Sequence, residues 1–184
     1  GKGILAADES LPTIEKRFRA LGVESTEAQR RAYREMLFTT AGLGEYISGT
    51  ILFDETIRQR STSGIPFREV LASQGIITGI KVDKGTVALP AFPEEKVTEG
   101  LDGLRERLAE YRGLGARFTK WRAVIAIGAH IPTRACTQAN ARALAHFAAF
   151  SQEAGLVPIV EPEVLMDGSH SLMRAEEVAS ALFK

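Results

Sequence analysis

Apolar and polar residues follow two periods along this chain, and the change from one to the other predicts five strand-then-helix units. Short apolar runs, typical of buried strands, alternate with stretches in which apolar residues recur every three to four positions. The predicted strands are 4–8, 47–53, 76–83, 117–127 and 156–163. In the fifth strand apolar residues occupy both faces, so we expect it to be covered on both sides, as in a parallel α/β sheet.

The predicted helices begin at capping or turn residues, and four of them end at a glycine. Their expected starts are Ser10, Thr26, Pro66, Leu101, Thr133 and Ser171, and the closing glycines are 22, 75, 115 and 155. The segment that holds Pro90 and Pro93 is predicted to be a loop. Two architectures fit five such units: an open doubly wound sheet and part of a (β/α)8 barrel.

Composition narrows the classes of function. Hydrophobic residues make up 45% of the 184 residues and charged residues 25%, which is ordinary for a globular domain. Lys+Arg and Asp+Glu both number 23, so the net charge gives no case for nucleic acid or a membrane surface as partner. No apolar run is long enough to cross a bilayer. The single cysteine, Cys136, excludes an internal disulfide and fits a reducing compartment, so we expect a cytoplasmic location.

Charged residues recur where the predicted strands end, often as pairs two residues apart that share one face. They are Asp8, then Lys81 and Asp83, then Lys120 and Arg122, then Glu161 and Glu163. The carboxyl ends of parallel strands meet at one rim, where ligands bind. Three cations and four anions at one rim suit general acid/base work and amine chemistry on carbonyls. The alternative is a set of structural ion pairs.

Other chemistries have weaker support. The three histidines lack a zinc-ligand spacing, and neither a G-x-G-x-x-G nor a P-loop motif is present. Asp8 and the two glutamates could bind a divalent metal, but the neighbouring cations would repel it. Cys136 and Trp121 are predicted to be packing residues. Ser10 and Thr13 fit either a helix cap or a phosphate site at a helix N-terminus.

Five motifs resemble one family in their order along the chain. They are GILAADES at 3–10, GIKVDKG at 79–85, GLDG at 100–103, KWR at 120–122 and VPIVEPE at 157–163. Together they resemble class I fructose-1,6-bisphosphate aldolase, and the match covers essentially all 184 residues. The segment GLGEYIS at 42–48 is similar to the plastid and bacterial branch of that family.

The resemblance implies a (β/α)8 barrel, of which residues 1–184 supply strands one to five with their helices. It also implies a metal-independent, cofactor-free lyase that reversibly cleaves fructose 1,6-bisphosphate into dihydroxyacetone phosphate and glyceraldehyde 3-phosphate. The reaction runs through a lysine Schiff base and serves glycolysis, gluconeogenesis or the Calvin cycle. The implied partners are a phosphosugar substrate and other copies of the chain, in a homotetramer.

The motif positions imply a role for nine residues. Asp8 would take the proton of the C4 hydroxyl, Glu161 would be the general acid/base of carbinolamine formation and dehydration with Lys120 supporting its charge, and Glu163 would orient the amine chemistry. The implied substrate contacts are Lys81 and Arg122, with Ser10, Thr13 and Arg17 on the 6-phosphate side.

Two departures from the family pattern bear on these roles. Leu11-Pro12-Thr13 stands where many relatives have a more polar turn with serine in place of Thr13, although the hydroxyl is kept. The family's Schiff-base lysine lies on the sixth strand, beyond Lys184. Both ends of the sequence look cut, so we expect either a part of an active aldolase or an inactive fragment that keeps partial phosphosugar binding.

Overall fold

The structure, a computed structural model, describes residues 1–183, and its main element is a five-stranded sheet. The strand order is β1-β2-β3-β6-β7, and a separate antiparallel hairpin is formed by β4 and β5. The strands are β1 Gly3–Ala7, β2 Ile47–Leu52, β3 Ile77–Lys81, β4 Thr86–Leu89, β5 Phe92–Thr98, β6 Phe118–Ile125 and β7 Val157–Val164. The five predicted strands are therefore confirmed within a few residues at each end.

The helices follow the strands as the apolar pattern predicts. They are α1 Leu11–Ala20, α2 Glu27–Phe38, α3 Leu43–Tyr46, α4 Asp54–Arg58, α5 Phe67–Ala72, α6 Leu104–Gly113, α7 Arg134–Glu153 and α8 Leu172–Leu182. The short helices α3 and α4 were not predicted, because four or five residues are too few to show a helical period. Thr26, Thr133 and Ser171 cap the helices that follow them, as predicted, each accepting from the backbone N–H three residues on.

The prediction of a loop around Pro90 and Pro93 is wrong, because residues 86–98 form the β4–β5 hairpin. Pro90 lies in the turn between the strands, where its missing N–H costs no ladder hydrogen bond. Pro93 lies at the start of β5, another position at which proline is tolerated. The prolines therefore mark the turn and one strand end of a hairpin.

Contacts divide the chain into two compact units, and the first consists of Gly1–Lys81 and Glu110–Thr119. In it β1, β2 and β3 are parallel. One face of these strands packs under helices: α5 lies on β3, and the rings of Phe38 and Phe67 meet edge to face at 5.2 Å. On the other face the Phe118 ring lies over Gly49 and Gly79, which leave room for it by having no side chain.

The second unit consists of Val82–Ala109 and the residues from Lys120 on. Its long helix α7 packs against β5, β7 and α8. Trp121 stacks on Phe147 of α7 with ring centroids 5.6 Å apart, and Cys136 is buried beside Ile125 and Val178. Both residues are packing residues, as predicted.

The prediction that the fifth strand is covered on both faces is wrong for the residues that the structure describes. Val157 keeps 66% of its surface exposed and Val160 keeps 39%. Within the second unit β7 contacts α7 and α8. Because Val157 and Val160 lie on opposite faces of the strand, neither face is fully covered.

Candidate active site

Two ion pairs link the middle of β6 to the C-terminal half of β7. The prediction that Lys120 and Arg122 lie where their strand ends is wrong, because β6 continues to Ile125. The Lys120 ammonium lies 2.9 Å from Oε2 of Glu161, and the Arg122 guanidinium donates to Oε2 of Glu163. Each strand contributes residues two positions apart, so all four side chains lie on the same face of the sheet. The structure thus brings together four of the residues that the sequence singled out.

The two pairs differ in burial. The Lys120 side chain is almost buried, whereas those of Glu161, Arg122 and Glu163 each keep about two fifths of their surface exposed. The hydrogen bond from Arg122 to Glu163 raises the pKa of the guanidinium, with further support from the charges of Glu161 and Asp83. An ion pair exposed on both sides, such as Arg122–Glu163, contributes only about 0–1 kcal/mol to stability, so this pair can be rearranged around a ligand at little cost.

Glu161 has unused hydrogen-bonding capacity. Although its Oε2 lies close to Lys120, the approach lacks the angles of a hydrogen bond, and within residues 1–183 the atom has no other partner. The Oε2 atom itself is buried, while the side chain as a whole keeps 37% of its surface exposed, and a carboxylate placed beside an ammonium can exchange a proton with a bound molecule. This geometry suits a general acid/base.

The turn between β1 and α1, in the first unit, holds the remaining carboxylate and the hydroxyl pair. Asp8 is buried directly after the end of β1. Ser10 is the N-cap of α1, yet its side chain accepts no capping hydrogen bond from the described backbone; its Oγ lies 3.1 Å from Oγ1 of Thr13. The two hydroxyls therefore face each other at the start of a ten-residue helix, an end whose free N–H groups favour an anion.

Arg17 and Lys81 complete the set of predicted residues. Arg17 is largely exposed and donates to Glu9, the residue between Asp8 and Ser10. Lys81 ends β3 and is half-buried, on the strand face that also carries Gly79. Asp54 and Glu55, which follow β2, instead form ion pairs on helices, with Arg58 and Arg30 respectively.

The sequence analysis missed a buried arginine that supports this turn. Arg34 of α2 is only 2% exposed, and its guanidinium lies 2.8 Å from the Glu9 carboxylate and donates to the Glu9 backbone carbonyl at 3.4 Å. Arg34 lies one helical turn before the buried Phe38, on the apolar side of α2. A charged residue at such a position is the sequence signal that could have revealed it.

Residues 1–183 contain no group of three or more His, Cys, Asp or Glu side chains placed to hold a metal ion. No helix in the same range has the length and apolar character needed to cross a membrane.

Comparison with known proteins identifies the class of protein to which this sheet and its ion-paired strands belong. A family model described as fructose-bisphosphate aldolase class-I matches residues 1–184. The chain is 61% identical to a probable fructose-bisphosphate aldolase class 1 of Xanthomonas campestris and 55% identical to fructose-bisphosphate aldolase 1 of Toxoplasma gondii, with all of this chain aligned. It covers 55% of the first relative and 52% of the second.

A solved structure agrees with the sequence comparison. Fructose-bisphosphate aldolase from Plasmodium falciparum, solved in complex with TRAP and a small-molecule inhibitor, matches with a TM-score of 0.95 and 49% sequence identity. The match covers 99% of this chain and 54% of that one.

The chain belongs to the class-I fructose-bisphosphate aldolase family, which confirms the resemblance carried by the five motifs. Its fold is part of a (β/α)8 barrel, and the open doubly wound sheet is excluded. The chain spans about half the length of the curated relatives it matches.

Proposed function

We propose that residues 1–184 are the part of a class I fructose-bisphosphate aldolase that carries its acid/base groups and its 6-phosphate side. The enzyme would reversibly cleave fructose 1,6-bisphosphate into dihydroxyacetone phosphate and glyceraldehyde 3-phosphate through a lysine Schiff base, in glycolysis, gluconeogenesis or the Calvin cycle. The observation that carries this proposal is the Glu161 carboxylate, which lies beside Lys120 on a side chain that keeps 37% of its surface exposed.

Glu161 is assigned the proton transfers of Schiff-base chemistry. When an amine adds to the substrate ketone, the carbinolamine must lose its hydroxyl as water, and an acid has to supply the proton for that step. Lys120 at 2.9 Å stabilises the carboxylate form after the proton has left. Glu163, held by Arg122, orients the amine from the neighbouring position on the same face of β7.

Asp8 is assigned the cleavage of the carbon–carbon bond. As it removes the C4 hydroxyl proton, the new carbonyl forms and the electron pair of the broken bond moves toward the iminium. A positioned carboxylate contributes about 10²–10⁴-fold to such a step. Burial at the end of β1 holds the Asp8 side chain in place for it.

The 6-phosphate is assigned to the hydroxyl pair and Arg17. Ser10 and Thr13 offer two hydroxyl donors at a helix N-terminus, where the backbone also favours an anion. Arg17 can leave Glu9 for the phosphate without leaving that carboxylate unpaired, because Arg34 holds Glu9 from the buried side. Lys81 and Arg122 are assigned as further substrate contacts.

The remaining assignments follow the family. We propose a metal-independent enzyme without a cofactor, assembled as a homotetramer and located in the cytoplasm, with a plastid as the alternative. Relatives named as cytosolic include fructose-bisphosphate aldolase 6 of Arabidopsis thaliana, which is 52% identical to this chain. The alternative function is that of an inactive aldolase fragment that retains partial phosphosugar binding.

The test is to trap the Schiff base by reduction and to measure the intact mass of the protein. The purified protein is incubated with dihydroxyacetone phosphate, reduced with borohydride and analysed by intact mass, with a chelator-treated sample as control. A reduced adduct on a chain heavier than 20.0 kDa, unchanged by the chelator, supports the proposed aldolase. A chain of 20.0 kDa without adduct supports the fragment, and an adduct abolished by the chelator overturns the metal-independent mechanism.

A further inference from the structure

The backbone of Arg122 leaves the regular ladder of the sheet. Beyond the end of β3, the Val82 N–H donates to the Lys120 carbonyl at 3.0 Å. In a regular parallel ladder, the next rung would run from the Arg122 N–H to the Val82 carbonyl. Instead the Arg122 N–H donates to Oδ2 of Asp83 at 3.3 Å, and the Val82 carbonyl accepts from Arg107 at 2.8 Å.

A second side chain forms a hydrogen bond with the backbone carbonyl of Arg122. Thr98, the last residue of β5, donates its hydroxyl to the Arg122 carbonyl at 2.8 Å. Both Asp83 and Thr98 are buried, with less than a tenth of their surface exposed. The peptide groups on both sides of the Arg122 Cα are thus bonded to buried side chains.

The two side chains are themselves fixed at the base of the β4–β5 hairpin. Oδ1 of Asp83 accepts from the Gly85 N–H at 3.1 Å. The Gly85 carbonyl in turn accepts from the N–H of Glu99, the residue after Thr98, and the Glu99 carbonyl accepts from the Lys84 N–H. Asp83 and Thr98 therefore act on Arg122 from one connected piece of backbone.

We propose that Asp83 and Thr98 are positioning residues that clamp the backbone of Arg122 and so aim its guanidinium at Glu163 and the substrate. Fixing the N–H and the carbonyl of one residue fixes the direction of its Cα–Cβ bond, from which the side chain extends. The expected effect of the clamp on catalysis rests on the proposed function, in which Arg122 contacts the substrate. The clamp itself is a structural feature of the described residues.

A purely structural role is the competing explanation, and it makes a different prediction. The Asp83–Gly85 hydrogen bond is a common way for an aspartate to stabilise its own turn. A residue that only stabilises the turn lowers stability when it is changed but leaves substrate binding to the folded enzyme unaltered. A positioning residue changes substrate binding, and it does so only while Arg122 is present.

The experiment is a double-mutant cycle in the catalytically complete protein. Thr98→Val removes the hydroxyl at nearly constant shape, and Thr98→Ser, which keeps it, is the matched control. We expect Thr98→Val to raise KM for fructose 1,6-bisphosphate about tenfold with a smaller change in kcat, as the loss of one well-placed hydrogen bond implies. The KM of Thr98→Ser should stay near that of the wild type. In the Arg122→Ala background, adding Thr98→Val should raise KM little further.

Amide hydrogen exchange at Arg122 tests the clamp without any assay of activity. Asp83→Ala removes both carboxylate oxygens, so the N–H groups of Arg122 and Gly85 both lose their acceptor. We expect the Arg122 amide to exchange about tenfold faster in Asp83→Ala than in wild type, whereas the Leu108 amide in α6 keeps its rate.

The outcomes separate the two proposals. Wild-type protein without aldolase activity overturns the proposed function, and the exchange rates then still decide whether the clamp exists. The clamp would be overturned if Thr98→Val had the same effect on KM with and without Arg122, or if the Arg122 amide exchanged at the wild-type rate in Asp83→Ala. If Thr98→Val fails to fold, the KM of Asp83→Ala with and without Arg122 takes its place in the cycle.

Discussion

The Phe118 ring packs over Gly49 and Gly79, and this packing can be tested by replacing either glycine with alanine, which adds one methyl group. A Cβ at Gly79 would lie 2.5 Å from Cδ2 of Phe118 and closer still to Cε2 and Cζ, whereas unstrained carbon contacts need about 3.5–4.0 Å. The ring would therefore have to move by at least about 1 Å. Because Phe118 is buried and its backbone belongs to a central strand, we expect this movement to be poorly accommodated.

We expect Gly79→Ala to lower the free energy of unfolding by about 3 kcal/mol, the upper part of the usual range for overpacking. The entropy gained by restricting the unfolded chain offsets about 0.4–1 kcal/mol of the strain. Gly49→Ala is the matched control, since a Cβ there would lie 3.1 Å from the same ring and needs a shift of only a few tenths of an ångström. It should cost less than about 1 kcal/mol.

The assay is urea unfolding followed by far-ultraviolet circular dichroism, with the double variant Gly79→Ala/Phe118→Leu included. Leucine lacks the ring that the new methyl group meets, so the double variant should be more stable than the sum of the two single changes predicts, by about 1–2 kcal/mol. Equal losses for Gly79→Ala and Gly49→Ala, or a double variant that shows no such coupling, would refute this account of the packing.

Three further predictions concern single side chains. In the catalytically complete protein, Glu161→Gln should slow borohydride-trapped adduct formation about 10²–10⁴-fold while the fold is kept, and Glu177→Gln, which also removes a paired carboxylate, should react at the wild-type rate. Burial, with the nearby charge of Glu95, raises the pKa of the Cys136 thiol to about 11, so about a thousandth is thiolate at pH 8; iodoacetamide should label native protein slowly and urea-unfolded protein fast, and equal rates would contradict the burial. Hydrogen bonds from the Thr62 hydroxyl and amide lower the pKa of Glu35, so this carboxylate stabilises the fold above its unfolded pKa of about 4.3, and the contribution is lost as the pH falls through the lower folded value. Thr62→Val should cost about 1 kcal/mol at pH 7 and weaken the acid dependence of stability, and a parallel pH profile in urea titrations would contradict this.

The support of the β1–α1 turn shows how one buried charge can organise functional neighbours. Arg34 is buried against Glu9, and Glu9 lies between Asp8 and Ser10 in the chain. Breaking a buried pair by removing one partner usually costs about 3–5 kcal/mol, so the turn is held firmly. The residues assigned to proton transfer and phosphate binding are thus placed by a pair that takes no part in the chemistry.

The sequence by itself determined the type and order of the large elements and the strands on or beside which the charged residues lie. These properties are local: the period of apolar residues distinguishes strand from helix, and alternation along a strand places Lys120 with Arg122 and Glu161 with Glu163 on one face. The five motifs also identified the family. None of these inferences depends on which strand lies next to which.

Only the tertiary structure decided which of these groups meet. The Lys120–Glu161 pair, the bond from Asp83 to the Arg122 backbone and the burial of Arg34 each join segments that are 25 or more residues apart, and no local period encodes such a contact. The β4–β5 hairpin was missed because its two strands are short and its prolines also occur in loops. Strand neighbours and buried polar partners are set by how the whole chain packs, which is why they had to be read from the fold.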